Sequence, residues 1–391
     1  VRQNKFTFLL LPLLFLLNTQ EASAYPDFIG YGYSSCITCH YNGLGGGALN
    51  DYGRALFATE ITARDVYSKR TEEETIAAQS GFLGSTQLPW WIRPGLKYRG
   101  LWYQTNPGSN QKMEKWINMQ EDINMNFFAD KKQTVALITT ASYADQYPPH
   151  AEVKQWQMYM KEYYLRYKWN NNLWIYAGQM DKAFGIRNAD HTAVNRSINR
   201  TSLLGQFDQS LGATVHFTYP TWDVAANVFF GNSYEDDPEK QKGLAVSGEY
   251  QVFEKFKIGG SAMTSQSDFV KWNMLAFTSR IGLSKGSSIL AEIGLKDQTT
   301  KASDTNILGT YAWIQSLVNI RRGYNLLSTI EASKSDIKKS SAENLRWSVG
   351  TMFFPIPRTE IRIMAVNGKT YEDGSGQYDS WMLQSQLHVS Y

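Results

Sequence analysis

From Gly95 to the C-terminus, hydrophobicity alternates with a period of two, in sixteen separate runs. Successive side chains of a strand point to opposite faces, so such a run has one apolar and one polar face. Between Lys115 and Phe127, Ile117, Met119, Ile123, Met125 and Phe127 make the apolar face, and Asn118, Gln120, Asp122, Asn124 and Asn126 the polar one. Glu121 breaks the apolar face, which indicates a bulge or an interfacial position. The sets Val135/Leu137/Thr139/Ala141, Leu211/Ala213/Val215/Phe217 and Trp347/Val349/Thr351/Phe353 repeat the pattern.

The connections between runs alternate in length. Longer ones fall near 106–112, 144–153, 181–208, 231–241, 265–269, 297–306, 334–343 and 367–377. Short turns lie between them, at 130–132, 170–172, 219–221, 253–255, 284–286, 321–323 and 355–357. An even strand number, strands of roughly ten residues and this rhythm are the signature of a transmembrane barrel of about sixteen strands. A soluble propeller or sandwich needs no such rhythm and buries its apolar faces against a second sheet. In the last run Trp381, Leu383, Ser385, Leu387, Val389 and Tyr391 share a face, and the terminal aromatic resembles the signal read by outer-membrane assembly machinery. Both termini and the short turns are expected on the periplasmic side. The longest loop, 181–208, is expected to fold inward; it carries Lys182, Arg187, His191, Arg196 and Arg200 against Asp181, Asp190 and Asp208.

Residues 1–24 read as a secretory leader, with Arg2 and Lys5 before an apolar stretch from Phe6 to Leu17 and the small-residue site Ala22-Ser23-Ala24. That stretch falls short of the ~20 apolar residues of a spanning helix. Leaving out Arg2, Lys5 and Glu21, the rest carries 37 Lys+Arg against 35 Asp+Glu. So even a balance argues against a nucleic-acid partner, for which a basic face is expected.

Residues 25–94 read as a small helical unit and connector preceding the barrel at 95–391. Their centre is Cys36-x-x-Cys39-His40, the attachment signature of c-type haem. Two thiols at this spacing form thioethers to the porphyrin, and the adjacent imidazole is its proximal iron ligand. A disulfide or thiol redox pair needs no histidine, and both cysteines and one of the five histidines of the chain stand here. Gly43 and Gly45–Gly47 let the backbone pass close to a bulky cofactor. Asn50 or Asp51 is expected to cap a helix through about Thr59, and residues 71–80 to form a second. Arg54 is either a partner for a haem propionate or a solvated surface arginine.

The second iron ligand is less legible. No methionine lies between residues 41 and 112, and the small unit has no second histidine. Alternation turns His216, His388 and Met352 toward the lumen near the periplasmic strand ends, with His216 the first choice; the α-amine of Tyr25 is a fourth candidate.

In architecture the whole chain after the leader resembles the fused monohaem cytochrome–porins of the outer membrane of iron-oxidising bacteria. Cys39-His40-Tyr41-Asn42, Gly45-Gly46-Gly47 and Asp51-Tyr52-Gly53-Arg54 also resemble haem segments of porin-like cytochromes in extracellular electron-transfer systems. The resemblance implies one covalent haem c on Cys36 and Cys39 with His40 on the iron, at the periplasmic mouth or in the lumen. Its implied partners are outer-membrane lipid, a periplasmic electron carrier and an external electron donor or acceptor. A tethered haem would carry electrons through an apolar band about 25 Å tall that soluble carriers cannot cross. Two alternatives stand beside electron transfer: an anion-leaning solute porin with a haem-bearing plug or sensor, and a catalytic haem, peroxidase or reductase, which needs an open coordination position.

Overall fold

Residues 26–65, 71–84, 88–107, 112–146, 155–188, 190, 192–201, 208–284, 286–339, 343–372 and 376–391 are described by a computed structural model. The leader, Tyr25 and His191 lie outside the described residues. The alternating runs form sixteen antiparallel strands, from β1 (Ile92–Thr105) to β16 (Gly376–Ser390), each paired with its neighbours in sequence. β1 also pairs with β16, from Lys97 opposite Ser390 to Thr105 opposite Met382, so the sheet closes and no edge remains. Val215, Phe217, Leu275, Phe277, Ile293 and Ile330 are exposed on the outer wall, while Asp122, Asn124, Thr214, His216 and Gln386 are buried inside. Among the described residues no helix is long and apolar enough to cross a membrane.

Three expectations need correction. First, the barrel begins at Ile92 rather than 95, with Pro94 inside β1. β16 reaches β1 only from Lys97, so the missing N–H of Pro94 leaves no ladder position empty on that side. Second, Met119 is a bulge: Arg99 faces Gln120 and Gly100 faces Asn118. The extra residue inverts the alternation, so Trp116 points outward instead of Ile117 and Met119. Tyr98 and Trp116 both donate to Asn118 Oδ1, at 3.0 and 2.7 Å. Glu121 sits two residues past the bulge, opposite Tyr98 and close to the end of β16, which accounts for a carboxylate on the outer wall. Third, the connections expected at 265–269, 297–306 and 367–377 are short, because the strands run further. β11 (Ser288–Thr300) and β12 (Thr305–Arg321) pair out to Thr300 opposite Thr305. Polar pairs hold that extension together, with Asn306 and Asn273 donating to Asp297 at 2.5 and 3.2 Å.

Residues 26–65 fill the lumen and are no separate unit. Phe28, Phe57 and Ile61 pack on Leu317, Leu327, Met352 and Phe354 of one wall. Tyr41 and Ala48 pack on Phe128, Ile138, Tyr164 and Trp174 of another. Only Cys39 and Leu56, with Tyr33 and Leu49 against them, form a cluster internal to the segment. Its helix α1 (Asp51–Leu56) is capped by Asn50 and passes into a wider turn, Phe57–Ile61. The second helix, α2 (Glu73–Ala78), falls inside its expected span.

The longest loop folds inward as expected, around α3 (Val194–Asn199). Phe184 packs among Phe229, Ala245, Met263 and Met274, while Ile186 and Ala193 meet Leu290 and Trp313. Glu292 of β11 fastens the loop. It accepts from the Ile186 amide at 2.6 Å, Asn195 at 3.1 Å, Asn199 at 3.0 Å and Tyr311 at 2.7 Å.

Candidate functional site

Cys36–Thr38 form one turn of 3-10 helix, closed by the amides of Cys39 and His40 donating to the Cys36 carbonyl at 3.2 and 3.0 Å. After it the chain doubles back. His40 bridges to Leu49, and Gly45, Gly46 and Gly47 make the bend with φ of 88°, 81° and 62°, where side chains are disfavoured. Asn50 then ties the turn to α1. Its side chain donates to the Thr38 carbonyl at 2.8 Å and accepts from the Gly53 amide at 2.8 Å, and its amide donates to the Cys39 carbonyl at 2.8 Å. Gly53 lies so close that a Cβ there would sit 2.5 Å from the Cys39 oxygen. Beyond the Asn50 cap, neither role could be read from the sequence, because both depend on α1 stacking on the Cys36–His40 turn.

The barrel wall holds this assembly from several sides. Lys257 and Arg280 donate to the Ser34 carbonyl at 3.0 and 2.9 Å, Ser35 donates to Asp223 at 3.1 Å, and Arg166 donates to the Tyr41 carbonyl at 3.1 Å. Burial pushes the Cys36 thiol up to about 11, against the pull of Arg280, and the Cys39 thiol up to about 12. Unmodified, both cysteines are protonated at neutral pH. Burial would also raise the Asp51 carboxyl, but Arg93 and Arg54 hold it below the usual range. Of the two alternatives for Arg54 the solvated one falls: the side chain is buried and paired with Asp51.

His40 borders two spaces. One is a mouth open to solvent and lined by Lys132, Asn171, Tyr219, Pro220 and Glu254 of the short turns. The other lies deeper, and His388 lines it together with His40. Six cations line the inner cavity, Lys97, Arg99, Lys161, Arg187, Arg196 and Arg358, against the carboxylates Asp122, Glu162 and Glu360. Two cations of the inward loop are thus part of its wall. The others are taken up locally: Lys182 donates to the Arg200 and Asp208 carbonyls, and Arg200 pairs with Glu235.

The residues fit a covalently held haem on two counts. Cations suit two propionates. A second imidazole, His388, presents a buried Nε2 that has no hydrogen-bond partner among the described residues. Cys36 lines a smaller adjoining cavity that shares Pro26 and Arg187 with the first, and Cys39 is buried behind Leu49. The other candidates are turned elsewhere. His216 points inward as its parity requires, but its Nε2 lies 2.8 Å from Asp223 and its ring against Gly43. Met352 is buried among Phe28, Phe57 and Phe354.

A family model described as phosphate-selective porin O and P matches residues 116–284. No curated protein matches the chain. Among solved structures, the outer-membrane protein OmpT of Vibrio cholerae superposes with a TM-score of 0.58 at 9% identity, over 77% of this chain and 99% of that one. An anion-selective porin from Comamonas acidovorans gives 0.57 at 4% identity, over 77% and 99%. OprB of Pseudomonas putida gives 0.58 at 8% identity, over 77% and 94%. At these identities the likeness is one of fold, and the fold is that of outer-membrane porins.

Proposed function

We propose that this porin-like barrel carries one c-type haem on its N-terminal plug and passes single electrons across the outer membrane. The observation that carries the reading is the position of His40, on a Cys36-x-x-Cys39-His40 turn held inside the lumen, bordering both the short-turn mouth and the inner cavity. A haem bound there supplies one-electron redox chemistry. The chain's own residues do the rest. Cys36 and Cys39 anchor the group, Asn50 and Gly53 fix the turn, and the lining cations neutralise its carboxylates. The barrel sets it within the insulating layer. A periplasmic carrier would dock at the short-turn mouth, with an external donor or acceptor on the far side.

A second reading has specific support. The matching porin family model and the excess of cations over carboxylates in the inner cavity favour an anion-leaning solute channel, and the comparisons speak for it more directly than for haem. The two readings part at the cofactor. Protein exported through a c-type maturation pathway should show a haem-stained band on a denaturing gel. That band should vanish in the Cys36→Ala/Cys39→Ala double variant. Parent protein without covalent haem leaves the channel reading standing alone.

A further inference from the structure

The geometry points to His388 as the distal ligand of the haem iron. The inference rests on the haem reading above and names a residue that the motif itself cannot supply. Of the three barrel side chains turned inward near the short-turn rim, only His388 lines the cavity that His40 lines. The residue is buried, at 9% exposure, and its Nε2 has no hydrogen-bond partner among the described residues. The other ring nitrogen is the one engaged: Nδ1 lies 3.5 Å from Glu360 Oε2 and 3.2 Å from Arg99 Nη2. Histidines that bind metals usually donate the remote N–H to a carboxylate, which fixes the tautomer and leaves the other nitrogen's lone pair for the metal. Glu360 occupies that place, with Arg362 donating to its Oε1 at 2.8 Å and so holding the carboxylate. Arg99 favours the opposite tautomer; iron at Nε2 would select the one that donates to Glu360.

The competing donors fail on placement. His216 likewise sets one nitrogen on a carboxylate, Nε2 on Asp223, but its Nδ1 is turned against Gly43 and lies outside that cavity, and the Met352 sulfur sits in an apolar cluster, accepting from Arg362 at 3.5 Å. Register explains why His388 is available. It stands on β16 opposite Arg99 of β1 and Glu360 of β15 (Thr359–Glu372), so the seam that closes the barrel also assembles the ligand and its support.

The test uses full-length protein matured with covalent haem, read by absorption and paramagnetic resonance. The parent should be six-coordinate and low-spin, with no binding of added azide or carbon monoxide. His388→Ala should turn high-spin and bind both, and added imidazole should restore the low-spin spectrum. His216→Ala should keep the parent spectrum. Should the alanine variant fail to fold, His388→Met answers the same question: a methionine-ligated iron shows its far-red charge-transfer band. An alanine variant that stays low-spin and refuses azide overturns the assignment, and so does a five-coordinate parent; in both cases the haem reading stands. Parent protein without covalent haem sinks both together.

Discussion

At the scale of single residues, the Cys36-x-x-Cys39-His40 turn depends on two neighbours with no chemistry of their own. Asn50 caps α1 and also holds the Thr38 carbonyl, so Asn50→Ala should cost the cap's usual ~1 kcal/mol and loosen the turn besides. Gly53→Ala places a methyl against the Cys39 carbonyl, and an overpacked site costs about 1–3 kcal/mol. Each variant should lower the yield of covalent haem several-fold per unit of folded barrel, measured as haem absorbance against heat-shifted gel mobility. Unchanged yield in both would show that attachment does not need this clamp. The cysteines and the histidine are legible because covalent chemistry fixes their spacing. Asn50 is legible only as a helix cap, since its second hydrogen bond joins elements 12 residues apart.

At the scale of elements, alternation reveals the strands, and its break at Glu121 signals an irregularity without placing it at Met119. A single bulged residue, Met119, leaves the composition of β2 (Met113–Phe128) unchanged yet inverts which side chains meet lipid, because the side-chain period is two. Strand ends are hidden for a related reason: polar residues such as Asp297 and Asn306 read as loop but pair above the rim. The inward fold of the longest loop was anticipated; its fastening was not, because Glu292 lies more than 80 residues beyond the loop's end. Glu292→Ala removes the acceptor for four donors, at roughly 0.5–1.5 kcal/mol for each hydrogen bond. The loop should then become sensitive to protease in intact membranes while the barrel keeps its heat-shifted mobility. A loop as resistant as the parent's would mean that the apolar contacts of Phe184 and Ile186 hold it alone.

For the whole molecule, the question is whether the lumen conducts. A channel of this fold is open only where nothing crosses it, and here residues 26–65 pack on more than one wall while the long loop fills from another side. The plug lies backbone to backbone against the wall near the end of β10 (Val270–Gly282). A Cβ on Gly282 would lie 2.5 Å from the Ile29 carbonyl, and one on Gly30 would overlap Ser287. Lys255 adds a hydrogen bond to the Gly30 carbonyl at 3.3 Å. Because backbone lies against backbone there, neither side can yield by changing a rotamer. Gly282→Val should therefore lift the start of the plug from the wall without touching the strand ladder on the outer face. In planar bilayers the parent should pass little current, and the variant several-fold more. The cations along the inner cavity should give that current a preference for anions, read as the reversal potential in a salt gradient. A parent that already conducts like an open porin would contradict the plugged lumen and favour solute passage over electron transfer.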